Sequence, residues 1–80
     1  MVLVYLLIRA EHGKIGIVRA QLDKLHEIIE VYEVFGRYDI IAKVETDSNK
    51  EFRRFIRNKI RVQEGIKSTE PIFVAEELDS

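Results

Sequence analysis

The chain has 80 residues, of which 46% are hydrophobic and 34% charged, with a formal net charge of −1 at pH 7. That length admits one hydrophobic core and no second, the composition excludes a disordered or fibrous chain, and the balanced charge gives no global pull toward nucleic acid or anionic lipid. Cysteine is absent, which excludes disulfides and thiolate metal sites and makes a reducing cytoplasm the expected compartment.

The apolar start, residues 2–8, is too short for a membrane span, which needs about 20 apolar residues. Its positive charge, Arg9, follows the apolar run, whereas a signal peptide carries charge before it. The segment reads instead as a strand, ended by Glu11-His12-Gly13. Alternation puts Val2, Val4, Leu6 and Ile8 on one face and Leu3, Tyr5 and Leu7 on the other, which suits a central strand. Ile15, Val18, Leu22 and Leu25 then recur at helical spacing with Arg19, Asp23 and Lys24 between them. Residues 28–35 form a second strand that stops at Gly36-Arg37, and residues 38–45 return as a third, so the pair is an antiparallel hairpin.

Ser48 and Glu51 fit a capping box at the start of a second helix, whose buried stripe is Phe52, Phe55, Ile56 and Ile60, with Gly65 a few residues past its end. Residues 66–76 supply the last strand. The order βαββαβ implies an α+β, ferredoxin-like fold, a four-stranded antiparallel sheet with both helices on one face. The last strand is then an edge, consistent with Pro71, which has no N–H to give a central ladder.

Two short helices cover one side of such a sheet, yet apolar side chains occupy both sides of the first strand. Each Leu, Ile or Phe left exposed forfeits about 1.5–3 kcal/mol, so a homo-oligomer is expected, starting from a two-fold dimer, with rings of dimers as the larger form. The competing reading is a monomer with ordinary apolar exposure.

Several residues together resemble a known family. Gly36-Arg37-Tyr38-Asp39-Ile40-Ile41, the turn after the third strand, Phe52-x-x-Phe55-Ile56 and Gly65-Ile66-Lys67-Ser68-Thr69-Glu70 look like the effector-binding (RAM) module of the Lrp/AsnC regulators, from the first strand to about Glu77. Because Met1 already stands at the first strand, the chain is similar to the stand-alone form that lacks a helix-turn-helix, and no direct DNA binding is expected. The resemblance implies transcription regulation, dimers of the α+β barrel type joined through their sheets, a tetramer of dimers (an octamer), and an amino-acid effector held between dimers. Mixed assembly with full-length Lrp/AsnC regulators is a further implied partnership. It places the effector near Gly36, Arg37, Tyr38, Asp39, Asp47, Ser68, Thr69 and Glu70. One departure is Pro71, which stands where the family commonly has a second Thr, so a hydroxyl and an N–H are missing there.

The residues also support other readings of the same positions. A free amino acid needs N–H or cationic donors for its carboxylate and an acceptor for its ammonium; Gly36, Arg37 and Asp39 could supply these, or Gly36 and Asp39 could simply build the turn. Arg53, Arg54, Arg57, Lys59 and Arg61 cluster on the second helix, which reads as a solvated basic face more readily than as a phosphate-binding one, with nucleic-acid binding the alternative. His12 and His26 are the only imidazoles and lack metal-ligand spacing, so no metal is expected. With no nucleophile elbow or phosphate loop, neither enzymatic activity nor a cofactor is expected. The alternative to effector sensing is a purely structural oligomerisation module.

Overall fold

Alternating burial along β1 (Val2–Ala10) organises the molecule: Val4, Leu6 and Ile8 are fully buried while Leu3, Tyr5 and Leu7 between them are only partly covered. The computed structural model of the chain describes residues 1–75. After β1 come α1 (Ile15–Leu22), β2 (Ile28–Glu33), β3 (Ile40–Thr46), α2 (Asn49–Phe55) running on into a π-helical turn (Ile56–Ile60), and β4 (Ile66–Phe73). The sheet order is β2-β3-β1-β4 with every pairing antiparallel, so β1 is central and β4 an edge. Both helical segments lie on one face. There Val18, Leu22, Phe52, Phe55 and Ile60 pack on Val4, Leu6, Ile8, Ile40, Ala42 and Val44.

The four-strand, two-helix order is as the spacing predicts, but several boundaries move. The second strand stops at Glu33 and the third starts at Ile40, so the hairpin loop takes in residues that alternation alone had assigned to strands. Where β3 begins, the Asp39 backbone N–H donates to Ile8 O, one residue out of the Ile8↔Ile40 register, and its carbonyl accepts from Val34 N–H, both at 2.9 Å, which ties the loop's base to β1 and to the residue that follows β2. Leu25 packs on the core but lies beyond α1, in a turn closed by Leu25 N–H to Leu22 O and Ile28 N–H to Leu25 O. Of the capping box, one half forms. Ser48 Oγ accepts from Glu51 N–H at 3.1 Å, while the Glu51 carboxylate takes Arg54 instead. The last strand ends at Phe73; Glu76, its expected end, lies outside the described residues.

Two irregularities set which side chains face the core. A bulge at Ile29, where the β2–β3 register passes from Ile28↔Val44 to Glu30↔Lys43, lets Ile28 join the core while Glu30 turns to the other face. The π turn does the same for the second helix. Ile60 is eight positions from Phe52, roughly 80° around a regular α-helix; the wider turn, closed by Arg61 N–H to Ile56 O, brings it to 1% exposure.

Gly65 enters β4 at φ +93°, and a Cβ there would stand 3.0 Å from both Lys14 Cβ and Val18 Cγ2. Its carbonyl accepts from Glu11 N–H at 2.7 Å, so this corner cannot swing away without losing the bond. Glu27, with its side chain 15% exposed, accepts from Lys59 Nζ at 2.8 Å and clips the entry of β2 to the π turn. Burial pushes its carboxyl up, but the Lys59 hydrogen bond, its own backbone N–H and the charges of Lys59 and His26 outweigh that and hold it below the ordinary 4.5.

Two outcomes follow from these contacts. Gly65→Ala is expected to cost about 1–3 kcal/mol, from the positive φ together with the Lys14 and Val18 contacts, read as a lower thermal midpoint. Lys59→Met is expected to cost about 1–2 kcal/mol at neutral pH. A carboxyl with a depressed folded pKa adds stability above its unfolded pKa and loses it as pH falls through the folded one. The gap between the Lys59→Met and parent melting curves should therefore close as pH drops below 4.5; a gap independent of pH would contradict the ion pair's role.

Candidate functional site

The end of the sheet where β1 finishes gathers most of the residues singled out in the hairpin. Gly36 takes φ +126°, a conformation that lets the loop turn at 36–37. Asp39 beneath it is spoken for in part, since its Oδ2 accepts from Ala10 N–H at 2.8 Å, and that bond holds the loop to the last residue of β1. Its carboxylate thus serves the turn in this structure, with Oδ2 already engaged.

Above that base, the Tyr38 hydroxyl donates to Glu70 Oε1 across the sheet surface. The bond to Glu70, followed by desolvation and the Glu70 charge, raises the phenol above its ordinary 10.0, with Arg37 and Arg9 pulling the other way. Those two arginines belong to the same place: Arg9, Gly36, Arg37 and Tyr38 line an open cleft of about 390 Å3. The cluster therefore carries two guanidinium groups, a phenol and a carboxylate within one small region, which is a donor and acceptor set suited to a ligand bearing both charges. Arg9 was not among the residues read as site candidates. Its signal lay in the alternation of β1, which puts it on the same face as Leu3, Tyr5 and Leu7 and beside the hairpin.

The remaining candidates separate. Ser68 pairs with Arg9 and Glu70 with Leu7, so both belong to the helix-free face, whereas Thr69 pairs with the buried Ile8 and turns toward the helices. Pro71 pairs with Leu6 and is likewise on the helix side, away from the Tyr38–Glu70 pair. Asp47 follows β3 at its far end, about 25 Å along the strand from Asp39. There it lines a cleft with His26, Glu27, Glu45, Thr46 and Glu51. Gly36, Arg37, Tyr38, Asp39, Ser68 and Glu70 are therefore brought to one end of the sheet; Thr69 stands at that end but on the helix side, and Asp47 at the opposite end.

Next to the cluster, the helix-free face is apolar at its centre and charged at its margin. Cross-strand pairs place Tyr5 beside Lys43 and Ile72, Leu7 beside Ile41 and Glu70, and Ile41 beside Tyr32. Tyr32 is 52% exposed and Ile72 49% exposed, and its hydroxyl holds Tyr32 to Glu30 at 3.0 Å. Phe35, at the hairpin tip, is fully exposed. Among the described residues no group of three or more His, Cys, Asp or Glu could hold a metal ion, and no helix is long and apolar enough to cross a membrane.

Comparison with known proteins gives a consistent result. The model of the Lrp/AsnC ligand binding domain matches residues 3–80. The HTH-type transcriptional regulator FL11 of Pyrococcus furiosus is 34% identical over 73 residues, which are 91% of this chain and 48% of that protein. The chain thus spans about half the length of that curated relative. A hypothetical protein of Pyrococcus horikoshii superposes with a TM-score of 0.89 at 37% identity, covering 98% of this chain and 94% of that one. Escherichia coli AsnC superposes with a TM-score of 0.91 at 28% identity, covering 99% of this chain and 54% of AsnC. A transcriptional regulator of Neisseria meningitidis, solved as its L-Met complex, shares the fold with a TM-score of 0.85 at 16% identity, over 99% of this chain and 53% of that one. The family, with FL11 and AsnC, comprises transcription regulators rather than enzymes. A match over nearly the whole chain, on a fold and hairpin built as described, makes this chain a member of the Lrp/AsnC ligand-binding-domain family.

Proposed function

We propose that this chain is an amino-acid-sensing and oligomerisation module in transcription regulation, with the effector held at the Tyr38–Glu70 end of the sheet. The observation that carries the reading is the cluster itself. Arg9 and Arg37 flank a cleft from which they can take a carboxylate, and Glu70, held in place by Tyr38, can accept from an ammonium group. A cleft this open offers little enclosure within one protomer, and a second copy placed over it supplies the missing wall. The helix-free face is the natural contact for a first partner copy, because Tyr5, Leu7, Ile41 and Ile72 form a continuous apolar patch there. Phe35, projecting from the hairpin tip, extends the apolar contact toward further copies. Asp47, far from the cluster in its own protomer, would reach a ligand only from a neighbouring copy, as would Thr69 only after rearrangement of β4. L-Met in the Neisseria neighbour supports the ligand class, a free amino acid, and leaves its identity open. Cytoplasmic action on full-length regulators through mixed assembly belongs to the same proposal.

A second reading, a purely structural assembly module, is favoured by one observation: Asp39 already gives Oδ2 to the Ala10 N–H, so it has less to offer a ligand. Isothermal titration against the twenty standard amino acids separates the two. Sensing predicts heat from at least one of them, with affinity reduced about tenfold by Glu70→Gln through loss of the charged acceptor. Silence across the panel leaves the structural module.

A further inference from the structure

We infer that the groove between β4 and the second helix is a separate binding site for a small amphipathic carboxylate, an anionic head on an apolar body. The groove, of about 430 Å3, has an apolar floor of Leu6, Phe52, Ile56, Pro71 and Phe73, and Arg53, Arg57 and Arg61 along its helical wall. Thr69, the candidate that turned away from the hairpin cluster, adds a hydroxyl on the strand side. Such a lining, mostly apolar with a few convergent polar groups, is the usual make-up of a small-molecule site.

Charge decides the sign of the ligand. The three arginines line the same wall of the groove, so like charges stand near one another there, an arrangement that is unfavourable without a counter-ion. Among the described residues none of the three has a carboxylate within 4.0 Å, while Arg54, one position on, is paired with Glu51 at 3.4 Å. No Asp or Glu lines the groove. An anion there relieves the repulsion, and an apolar body behind it covers the floor that the two segments leave open.

The floor argues against a nucleic acid in the same place. Phe52 is 3% exposed and belongs to the core, which leaves the half-exposed Phe73, edge-on to it with ring centroids 5.4 Å apart, as a single ring in the lining, whereas single-stranded nucleic acid is held by successive stacking platforms. Pro71, which stands on the edge strand where the family commonly has a second Thr, matters here. Its ring lies across from Leu6 on the helix side and replaces a hydroxyl with apolar floor.

Octanoate is the probe, followed by amide chemical shifts of the intact chain. Saturable shifts centred on Thr69 and Phe73 are expected, with 1-octanol and acetate each at least about tenfold weaker, since each lacks one half of the recognition. The double substitution Arg57→Glu with Arg61→Glu changes only exposed side chains and should weaken octanoate by at least about tenfold while circular dichroism stays unchanged. Absence of groove shifts up to about 10 mM octanoate would overturn the inference. So would equal binding of octanol and octanoate, or groove shifts produced by a single-stranded oligonucleotide and not by octanoate.

Discussion

The structure depends on one constraint: the central strand β1 is apolar on both faces, and the chain carries helices enough to cover one. Val4, Leu6 and Ile8 disappear beneath α1 and α2, and this packing, with Phe52, Phe55 and Ile60 pressed down from above, holds the fold together. Leu3, Tyr5 and Leu7 are fixed on the opposite side by the same backbone geometry. Uncovered, side chains of this kind would each forfeit about 1.5–3 kcal/mol, a large part of what a domain of this size can accumulate. The proposed pairing of two sheets answers that constraint, and it also builds a wall beside the Tyr38–Glu70 end.

A strand that separates two environments also separates the two proposed sites. Along β4 the side chains alternate between the helix-free face, with Ser68, Glu70 and Ile72, and the helix side, with Thr69, Pro71 and Phe73. The first set continues the charged cluster at the hairpin; the second floors the arginine-lined groove. On the two proposals, one edge strand takes part in two chemically distinct sites, one for a ligand carrying both charges and one for an anion with an apolar body.

Much of this was legible in the sequence. The short continuous apolar run of β1, the helical stripe of Phe52 and Phe55 and the position of Pro71 gave the order of elements and the edge, because burial imposes those patterns directly. Of the boundaries that moved, the start of β3 coincides with a bond from Asp39 N–H to Ile8 O that falls one residue out of the Ile8↔Ile40 register, and the π turn that buries Ile60 has no residue signature. The site residues were read as short runs, and runs do not respect the pleat. Ser68, Thr69 and Glu70 are adjacent in sequence yet divided between faces, and Arg9, which completes the cluster, stood at the end of a strand read for its apolar residues.

The most direct test of the account is the mass of the particle in solution. Sedimentation equilibrium at micromolar concentration should return an even multiple of 9.4 kDa, and Leu7→Asp, which puts a charge in the centre of the helix-free face, should return a folded single chain. A parent protein that sediments as one folded chain of 9.4 kDa would contradict it.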